Sequence, residues 1–210
     1  MRVYAVVGGI AAGKTTVARR MARRYGGRRL DADRVGHRVL RLARVRRALL
    51  DAFGPGILGP DGAIDRRRLG RKVFGRRAGL AALDRIVHPE IVARLRARIA
   101  SLRREGAKFI LLDAALYFEF DGELPVDGVL AVVASDDVRR QRLRAERGLT
   151  RRQADARLAS QPRVETWAQR ADVRLRTDCD LRALDTRIDA AWRRLRQRRR
   201  RRRKGKEPRT

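Results

Sequence analysis

The residues best suited to chemistry lie in one glycine-rich segment, Gly8 to Thr15. Its sequence, GGIAAGKT, fits the pattern G-x-x-x-x-G-K-[ST] that binds nucleotide phosphates. Glycines let backbone N–H groups curl around phosphate oxygens, Lys14 reaches the β- and γ-phosphates, and the Thr15 hydroxyl ligates Mg²⁺. The segment predicts an ATP site that uses Mg²⁺; the alternative is a glycine turn with an incidental lysine. The residues predicted to bind ATP are Gly9, Ile10, Ala11, Ala12, Gly13, Lys14, Thr15 and Thr16, with Thr15 also the metal ligand.

Two carboxylates, Asp31 and Asp33, follow a short predicted strand around Arg29 and Leu30. The carboxyl ends of parallel strands form the edge at which open α/β sheets bind their ligands. A carboxylate there is placed to accept the proton of an attacking hydroxyl during phosphoryl transfer. The alternative is that one aspartate only caps the following helix, which is a common use of the residue. For Asp31 both interpretations stay open.

The elements that must position these residues follow the α/β pattern. Val3 to Val7 is β-branched and aromatic and runs directly into the glycine turn, so it predicts a buried strand. Apolar residues at three- and four-residue spacing between Val17 and Tyr25 predict a helix after the turn. Phe109 to Leu112 and Val129 to Ala134 are continuous apolar runs typical of buried parallel strands, and Val173 to Leu175 predicts a last edge strand.

The sequence predicts one P-loop domain, 1–192, that contains two embedded regions and is followed by a tail. Helices joined by glycine and proline turns predict an insertion at about 44–106, whose last helix is expected to begin at His88 and Pro89 because proline suits the first helical position. The charged stretch 136–160 predicts a mobile, solvent-facing helical arm. The tail 193–210 is expected to be disordered, because its like charges repel and Leu195 is its only apolar residue.

Charge and composition restrict the classes of partner. The 210 residues carry a formal net charge of +30, and the segment Arg193 to Arg209 holds twelve Lys or Arg against one Glu. A basic surface attracts polyphosphate substrates, and we expect the tail to bind RNA weakly and without sequence specificity. A single cysteine, Cys179, forms no internal disulfide. With no secretory leader pattern and no apolar run long enough for a bilayer, we expect a soluble cytoplasmic protein without a membrane segment.

The sequence resembles the dephospho-coenzyme A kinase family along nearly its whole length up to Trp192, and the matching motifs occur in the same order as in the family. The order of the matches is more specific than any single short piece after the glycine-rich segment. The matching residues are Gly8, Gly9, Ile10, Gly13, Lys14, Thr15, Asp31, Ala32, Asp33, Phe53, Gly54, Asp61, Gly62, Asp65, Arg66, Leu69, Val73, Phe74, His88, Pro89, Leu116, Phe118, Glu119, Arg142, Arg147, Gly148, Arg157, Gln161, Ala171 and Asp172.

The resemblance implies a P-loop NTPase fold of three layers with a five-stranded parallel sheet, an inserted helical region for the acceptor and a lid. It implies phosphorylation of the ribose 3′-hydroxyl of dephospho-coenzyme A by ATP. On this resemblance Asp33 is the general base, and Lys14 serves catalysis and ATP binding. Arg142 or Arg147 of the lid then covers the phosphates. The acceptor would contact Asp33, Arg66, His88 and Glu119.

Several positions depart from the family pattern. Ala11 and Ala12 stand where Gly-Ser is usual, and a loop of backbone donors tolerates this pair if neither position needs a positive φ. Thr177 and Cys179 replace an Asn and a Gly on the expected adenine side. Two alternatives remain: a P-loop kinase of another small-molecule hydroxyl, and a degenerate P-loop protein that binds RNA through its tail. His88 as a helix cap and Arg66 as a solvated arginine also remain open.

Overall fold

A computed structural model divides the chain into two compact units. The first joins Met1–Leu30 to Leu102–Thr210, and the second is Asp31–Ser101. The second unit contains most of the predicted insertion at about 44–106, whose bounds stay a prediction, and it also includes Val35 and Val39, which pack in its core. The structure describes residues 1–73, 77–115, 117–120, 122–161 and 163–204, with the backbone alone at 163–165, 167 and 198–204; Phe74 and Leu116, which contribute to the family resemblance, lie outside these residues.

A five-stranded sheet forms the centre of the fold, as the sequence predicts. Its order is β2-β3-β1-β4-β5, and β1 pairs in parallel with both β3 and β4 while β4 pairs in parallel with β5. The last strand lies at an edge, also as predicted. The strands are β1 (Arg2–Val7), β2 (Arg28–Asp31), β3 (Phe109–Asp113), β4 (Gly128–Val133) and β5 (Val173–Arg176).

Helices cover both faces of the sheet in the first unit, which explains why β1 is buried and free of charged residues from Val3 to Val7. Tyr4 and Val6 belong to the cluster that contains the buried residues of α1 and α9. Ala5 and Val7 point to the opposite face, where Ala168 of α8 packs. This is the predicted three-layer α/β arrangement. The helices of the unit are α1 (Lys14–Tyr25), α6 (Asp136–Arg147), α7 (Arg151–Ala159), α8 (Arg163–Arg170) and α9 (Leu181–Lys204).

The charged stretch 136–160 is helical, but it is neither a single helix nor wholly solvent-facing. Gly148, at φ 62, ends α6, and Thr150 starts α7 with a reciprocal capping box. Leu143 and Arg139 of α6 are buried. The prediction of a solvent-facing arm is therefore wrong for one face of α6, where a single leucine and the stem of an arginine suffice to pack the helix against its neighbours.

The closing helix α9 does not stop at Trp192. It continues to Lys204, and Leu195 is buried in the same core as Trp192 and Ile188. The spacing of these residues extends the apolar stripe by one turn, and arginine itself is a good helix former. The predicted disordered tail beginning at residue 193 is therefore wrong as far as Lys204; residues 205–210 lie outside the described part.

The second unit is helical. Its α5 runs without a break through Pro89, so the prediction that a helix begins at His88 is wrong, and His88 does not cap one. Proline removes one backbone hydrogen bond inside a helix, but the flanking Ile86, Val87 and Ile91 pack against the core of the unit and outweigh that loss. The helices are α2 (Ala32–Val39), α3 (Ala43–Phe53), α4 (Arg66–Val73) and α5 (Arg77–Arg104).

Among the residues described, no helix is long and apolar enough to cross a bilayer.

Candidate active site

The loop between β1 and α1 has the backbone that the glycine pattern predicts. A Cβ atom on Gly8 would stand 2.2 Å from the Val132 carbonyl oxygen, so a side chain is excluded where β1 passes β4. Gly13 takes the left-handed conformation, at φ 86, as the N-cap of α1. No acidic side chain occupies the first turn of α1, so its positive end is directed at the loop without an opposing charge.

Ala11 has a φ of 58°, the one positive value at a non-glycine residue that the described backbone shows. The condition under which the Ala11–Ala12 pair is tolerated is therefore not met at Ala11, where the loop geometry requires the conformation that glycine adopts without strain. Ala12 differs, because it is 1% exposed and its methyl group packs in the core against α1. The first substitution costs conformational energy, and the second contributes burial.

The lysine and threonine of the motif begin α1. Lys14 Nζ lies 3.3 Å from the Gly9 carbonyl oxygen, across the concave side of the loop. The Thr15 hydroxyl donates to Asp113 Oδ2 at 3.1 Å. Thr16 is exposed. The structure therefore brings Lys14 and Thr15 to the loop, as the sequence predicts, and adds a carboxylate to Thr15.

That carboxylate, Asp113, ends β3 and is 5% exposed. It lies beside Val6 in the register of β1 and β3. Arg29 of β2 donates to the same Oδ2 through Nε at 3.0 Å and Nη2 at 2.6 Å. Thr15 and Arg29 thus place three donors on one oxygen of Asp113. A carboxylate and a hydroxyl 3.1 Å apart form the hard oxygen pair that suits Mg²⁺.

A carboxylate directly after an apolar run is the one local signal that could have identified Asp113. Arg29 has no such signal, because one arginine among many in this chain does not stand out. The pairing depends on β2 lying next to β3 in the sheet, although the two residues are 84 positions apart.

Of the two predicted lid arginines, the structure brings one to the loop. Arg142 Nη1 donates to the Ala11 carbonyl oxygen at 3.1 Å and to the Thr177 hydroxyl at 2.9 Å, and Nη2 donates to the Thr177 carbonyl at 2.7 Å. It therefore contacts the carbonyl side of the loop. Arg147 is exposed at the last residue of α6, about 7.5 Å further along the helix.

Three further residues hold the loop and were not predicted as site residues. Arg139 Nε donates to the Ile10 carbonyl at 3.0 Å, and the Ile10 N–H donates to Gln161 Oε1 at 2.7 Å. The Thr177 hydroxyl donates to the Ala12 carbonyl at 2.9 Å. Thr177 drew notice only as a departure from the family pattern, and Gln161 only as a match to it.

Next to Thr177, Asp178 fastens the β5–α9 connection to the start of α6. Its Oδ1 accepts from the Ser135 N–H at 2.9 Å, and its Oδ2 accepts from Arg176 at 2.6 Å. Burial of the carboxyl acts to raise the pKa of Asp178, but these donors outweigh burial and hold its pKa below the ordinary value. The charged form is therefore the one that keeps this connection in place.

The two carboxylates after β2 have separate surroundings. Asp31 is the N-cap of α2 and accepts from the Arg34 N–H at 3.0 Å, so its capping interpretation is confirmed. Asp33 lies in the first turn of α2 and is exposed. In the second unit Arg66 is the exposed first residue of α4, and His88 is half-buried inside α5. Glu119, in the first unit, is exposed in a short 3₁₀ helix, Tyr117–Phe120.

Comparison with known proteins agrees with this geometry. The family model for dephospho-CoA kinase matches residues 2–182. The dephospho-CoA kinase of Symbiobacterium thermophilum is 36% identical over 194 residues, which cover 92% of this chain and 81% of that protein. The corresponding protein of Geobacter sulfurreducens is 36% identical over 193 residues, 91% of this chain and 98% of that one.

Among solved structures, TT1252 from Thermus thermophilus is similar with a TM-score of 0.75 and 31% identity, covering 91% of this chain and 96% of that chain. The family match includes the phosphate-binding loop, the first turn of α2 with Asp33, the strand end with Asp113 and the helix that carries Arg142. With relatives above 30% identity over nearly the full length of both chains, this protein belongs to the dephospho-CoA kinase family.

Proposed function

We propose that the chain transfers the γ-phosphate of ATP to the ribose 3′-hydroxyl of dephospho-coenzyme A, with coenzyme A and ADP as products. The observation that carries the proposal is a complete phosphate-binding loop inside a family match that spans residues 2–182. The named relatives are dephospho-CoA kinases. A family member with an intact loop, Lys14 and Thr15 retains the parts that turnover requires.

ATP binding would rest on the loop and on Lys14. The loop N–H groups and the positive end of α1 would receive the phosphates, and Lys14, whose Nζ lies 3.3 Å from the Gly9 carbonyl, would contact them from the same loop. Phosphoryl transfer depends almost wholly on positioning and charge stabilisation. The backbone donors of the loop would supply the positioning, and the Lys14 ammonium would supply the charge stabilisation.

Mg²⁺ fits the oxygens present. Thr15 Oγ1 would ligate the ion, and Asp113 would hold it from the adjacent strand end, directly or through water. When bound, the ion would neutralise charge on the β- and γ-phosphates. Arg29 would then orient the Asp113 carboxylate at the sheet edge through their ion pair.

The base would be Asp33. Asp31 accepts the N-cap hydrogen bond of α2, and Asp113 accepts three hydrogen bonds on one oxygen, so both carboxylates already hold structural contacts. Asp33 follows the same strand end and is exposed in the first turn of α2. This assignment rests on the family resemblance together with the engagement of the other two carboxylates.

On the family resemblance, Arg66, His88 and Glu119 would contact the acceptor. Exposed arginines on α4, among them Arg66, Arg67 and Arg71, form a basic surface suited to the phosphates of dephospho-coenzyme A. His88 is half-buried in α5, where on the family resemblance its imidazole would contact the acceptor. A cytoplasmic location, where both substrates would be available, stays a prediction.

The test is an acceptor panel on the full chain. With Mg²⁺ and ATP fixed, ADP release is followed with dephospho-coenzyme A, a nucleoside monophosphate, shikimate and gluconate, and the position of the new phosphate is read by ³¹P NMR. We expect dephospho-coenzyme A to be preferred, with a 3′-phosphate in the product. Turnover of another acceptor at least about tenfold faster would overturn the proposed substrate, and ATP binding without any turnover would favour a degenerate binding protein.

A further inference from the structure

Three consecutive carbonyl oxygens of the phosphate-binding loop are each held by a side chain from outside the loop. These side chains come from α6 and from the connection between β5 and α9, more than 100 residues further along the chain. The contacts are Arg139 Nε to Ile10 O at 3.0 Å, Arg142 Nη1 to Ala11 O at 3.1 Å and Thr177 Oγ1 to Ala12 O at 2.9 Å.

Holding these carbonyls fixes the direction of the donors that bind phosphate. A peptide group is planar, and its C=O and N–H point in opposite directions. When the carbonyls of Ile10, Ala11 and Ala12 point outward to the three side chains, the N–H groups of the next residues point to the opposite side, where the Ala12 N–H also donates to the Gly9 carbonyl at 3.2 Å. That side is where a phosphate-binding loop receives its anion.

The holding groups are themselves fixed. Thr177 is 2% exposed, and its hydroxyl accepts from Arg142 while it donates to Ala12. Arg139 is 8% exposed and its Nη1 also donates to Asp136 at 2.9 Å. Asp178 joins the Thr177 connection to the start of α6. Among the described residues, Arg139 Nη2 is buried without a hydrogen-bond partner, so this arginine keeps its contact with the loop at an energetic cost.

The loop needs such support because Ala11 is strained. A non-glycine residue at φ 58° persists only where the surroundings determine its conformation, since relaxation to a negative φ would turn its peptide groups. Turned carbonyls would face the phosphates and repel them.

We propose that Arg139, Arg142 and Thr177 form a carbonyl clamp, a set of positioning residues that holds the loop in its phosphate-binding conformation before nucleotide arrives. The inference rests on the proposed function in taking ATP phosphates as the ligand of the loop. It assigns Thr177 to the phosphate side of the nucleotide site, although the family pattern associates its position with the adenine side.

Thr177→Val is the sharpest test, because valine keeps the β-branched shape and removes the hydroxyl. Affinities of the full-length variant for ATP and for inorganic tripolyphosphate are measured by calorimetry with Mg²⁺. Valine removes both the hydrogen bond donated to the Ala12 carbonyl and the one accepted from Arg142. Losing the first alone leaves the buried Ala12 carbonyl without its partner, which corresponds to an affinity loss of about tenfold. We expect that loss for both ligands, and near wild-type affinity for Thr177→Ser, which keeps the hydroxyl.

Hydrogen exchange of the loop peptide without ligand gives a readout independent of binding. The clamp predicts faster exchange over Gly9 to Gly13 in Thr177→Val and wild-type exchange in Thr177→Ser. Arg139→Met removes a second clamp contact while keeping the apolar stem, so it replaces Thr177→Val if that variant does not fold. Arg144→Met is its matched control, since Arg144 lies exposed on the same helix and carries the same charge.

The outcomes separate the two proposals. If the wild type binds neither ATP nor tripolyphosphate, the proposed function fails. If the wild type binds both and Thr177→Val or Arg139→Met binds them equally well, the clamp is refuted. If Thr177→Val weakens ATP but leaves tripolyphosphate unchanged, Thr177 acts on the base and the clamp is again refuted. Equal losses in Arg139→Met and Arg144→Met would show a general charge effect and refute the positioning role of Arg139.

Discussion

The strain at Ala11 gives a prediction whose sign is unusual, because replacement by glycine should stabilise the protein. An L-residue in the left-handed region costs about 1–2 kcal/mol, and glycine avoids this cost. Glycine also gains about 0.4–1 kcal/mol of conformational entropy in the unfolded chain. With φ at 58° for Ala11, the difference favours Ala11→Gly by about 0.8 kcal/mol.

For a chain of this size, 1 kcal/mol shifts Tm by about 2–4 °C, so Ala11→Gly should raise Tm by about 2 °C. Ala12→Gly is the matched control one residue away. Ala12 is 1% exposed in the core, so its methyl group contributes about 0.8 kcal/mol of burial in addition to the entropy term. Ala12→Gly should therefore lower Tm by about 4 °C.

Both variants are compared with the wild type by differential scanning calorimetry without nucleotide, in one buffer and at one scan rate. Opposite signs for neighbouring alanines are the expected result, because one alanine is strained and the other is packed. A Tm decrease in Ala11→Gly equal to that in Ala12→Gly would refute the strain argument. It would mean that the methyl group of Ala11 contributes more through its contacts than it costs through its backbone.

Three further predictions concern activity and charge. Asp33→Asn should lower kcat about a hundred- to ten-thousandfold while ATP affinity changes far less; Asp31→Asn is its control, since asparagine caps α2 as well as aspartate does, and equal kcat losses in both would contradict Asp33 as the base. Lys14→Ala should weaken ATP binding about ten- to a hundredfold, measured by calorimetry, because a charge-assisted hydrogen bond is lost; unchanged affinity would remove Lys14 from the site. Deletion of Arg198 to Thr210 should change kcat less than about tenfold but abolish binding to single-stranded RNA, whose affinity in the full chain should fall steeply with salt; salt-independent binding would show that counterion release is not its basis.

The sequence by itself determined the elements whose signals are local. The glycine spacing from Gly8 to Gly13 requires a tight turn, and the apolar runs of β1, β3 and β4 are too continuous for strands with a solvent face. The capping of α2 by Asp31 was also readable, because it depends on a residue three positions away. Such features follow from short-range hydrogen bonding and from burial, which composition and spacing record.

In two places, packing in the tertiary structure outweighed a local sequence propensity. Pro89 signals a helix start, yet α5 passes through it because apolar neighbours on both sides pack against the core. The charge of the tail signals disorder, yet α9 continues because Leu195 extends the buried stripe. In both cases the burial of a few side chains, which depends on what lies opposite, exceeded a propensity that is visible in the sequence.

The contacts that shape the site could only come from the tertiary structure. Thr177 and Ala12 are 165 positions apart, and Arg29 and Asp113 are 84 apart. Each pair exists because parallel strands bring distant strand ends to one edge of the sheet, and one arginine among many carries no mark of which carboxylate or carbonyl it will meet. The φ of Ala11 belongs with them, since its side chain favours a different conformation and only the contacts around the loop hold it.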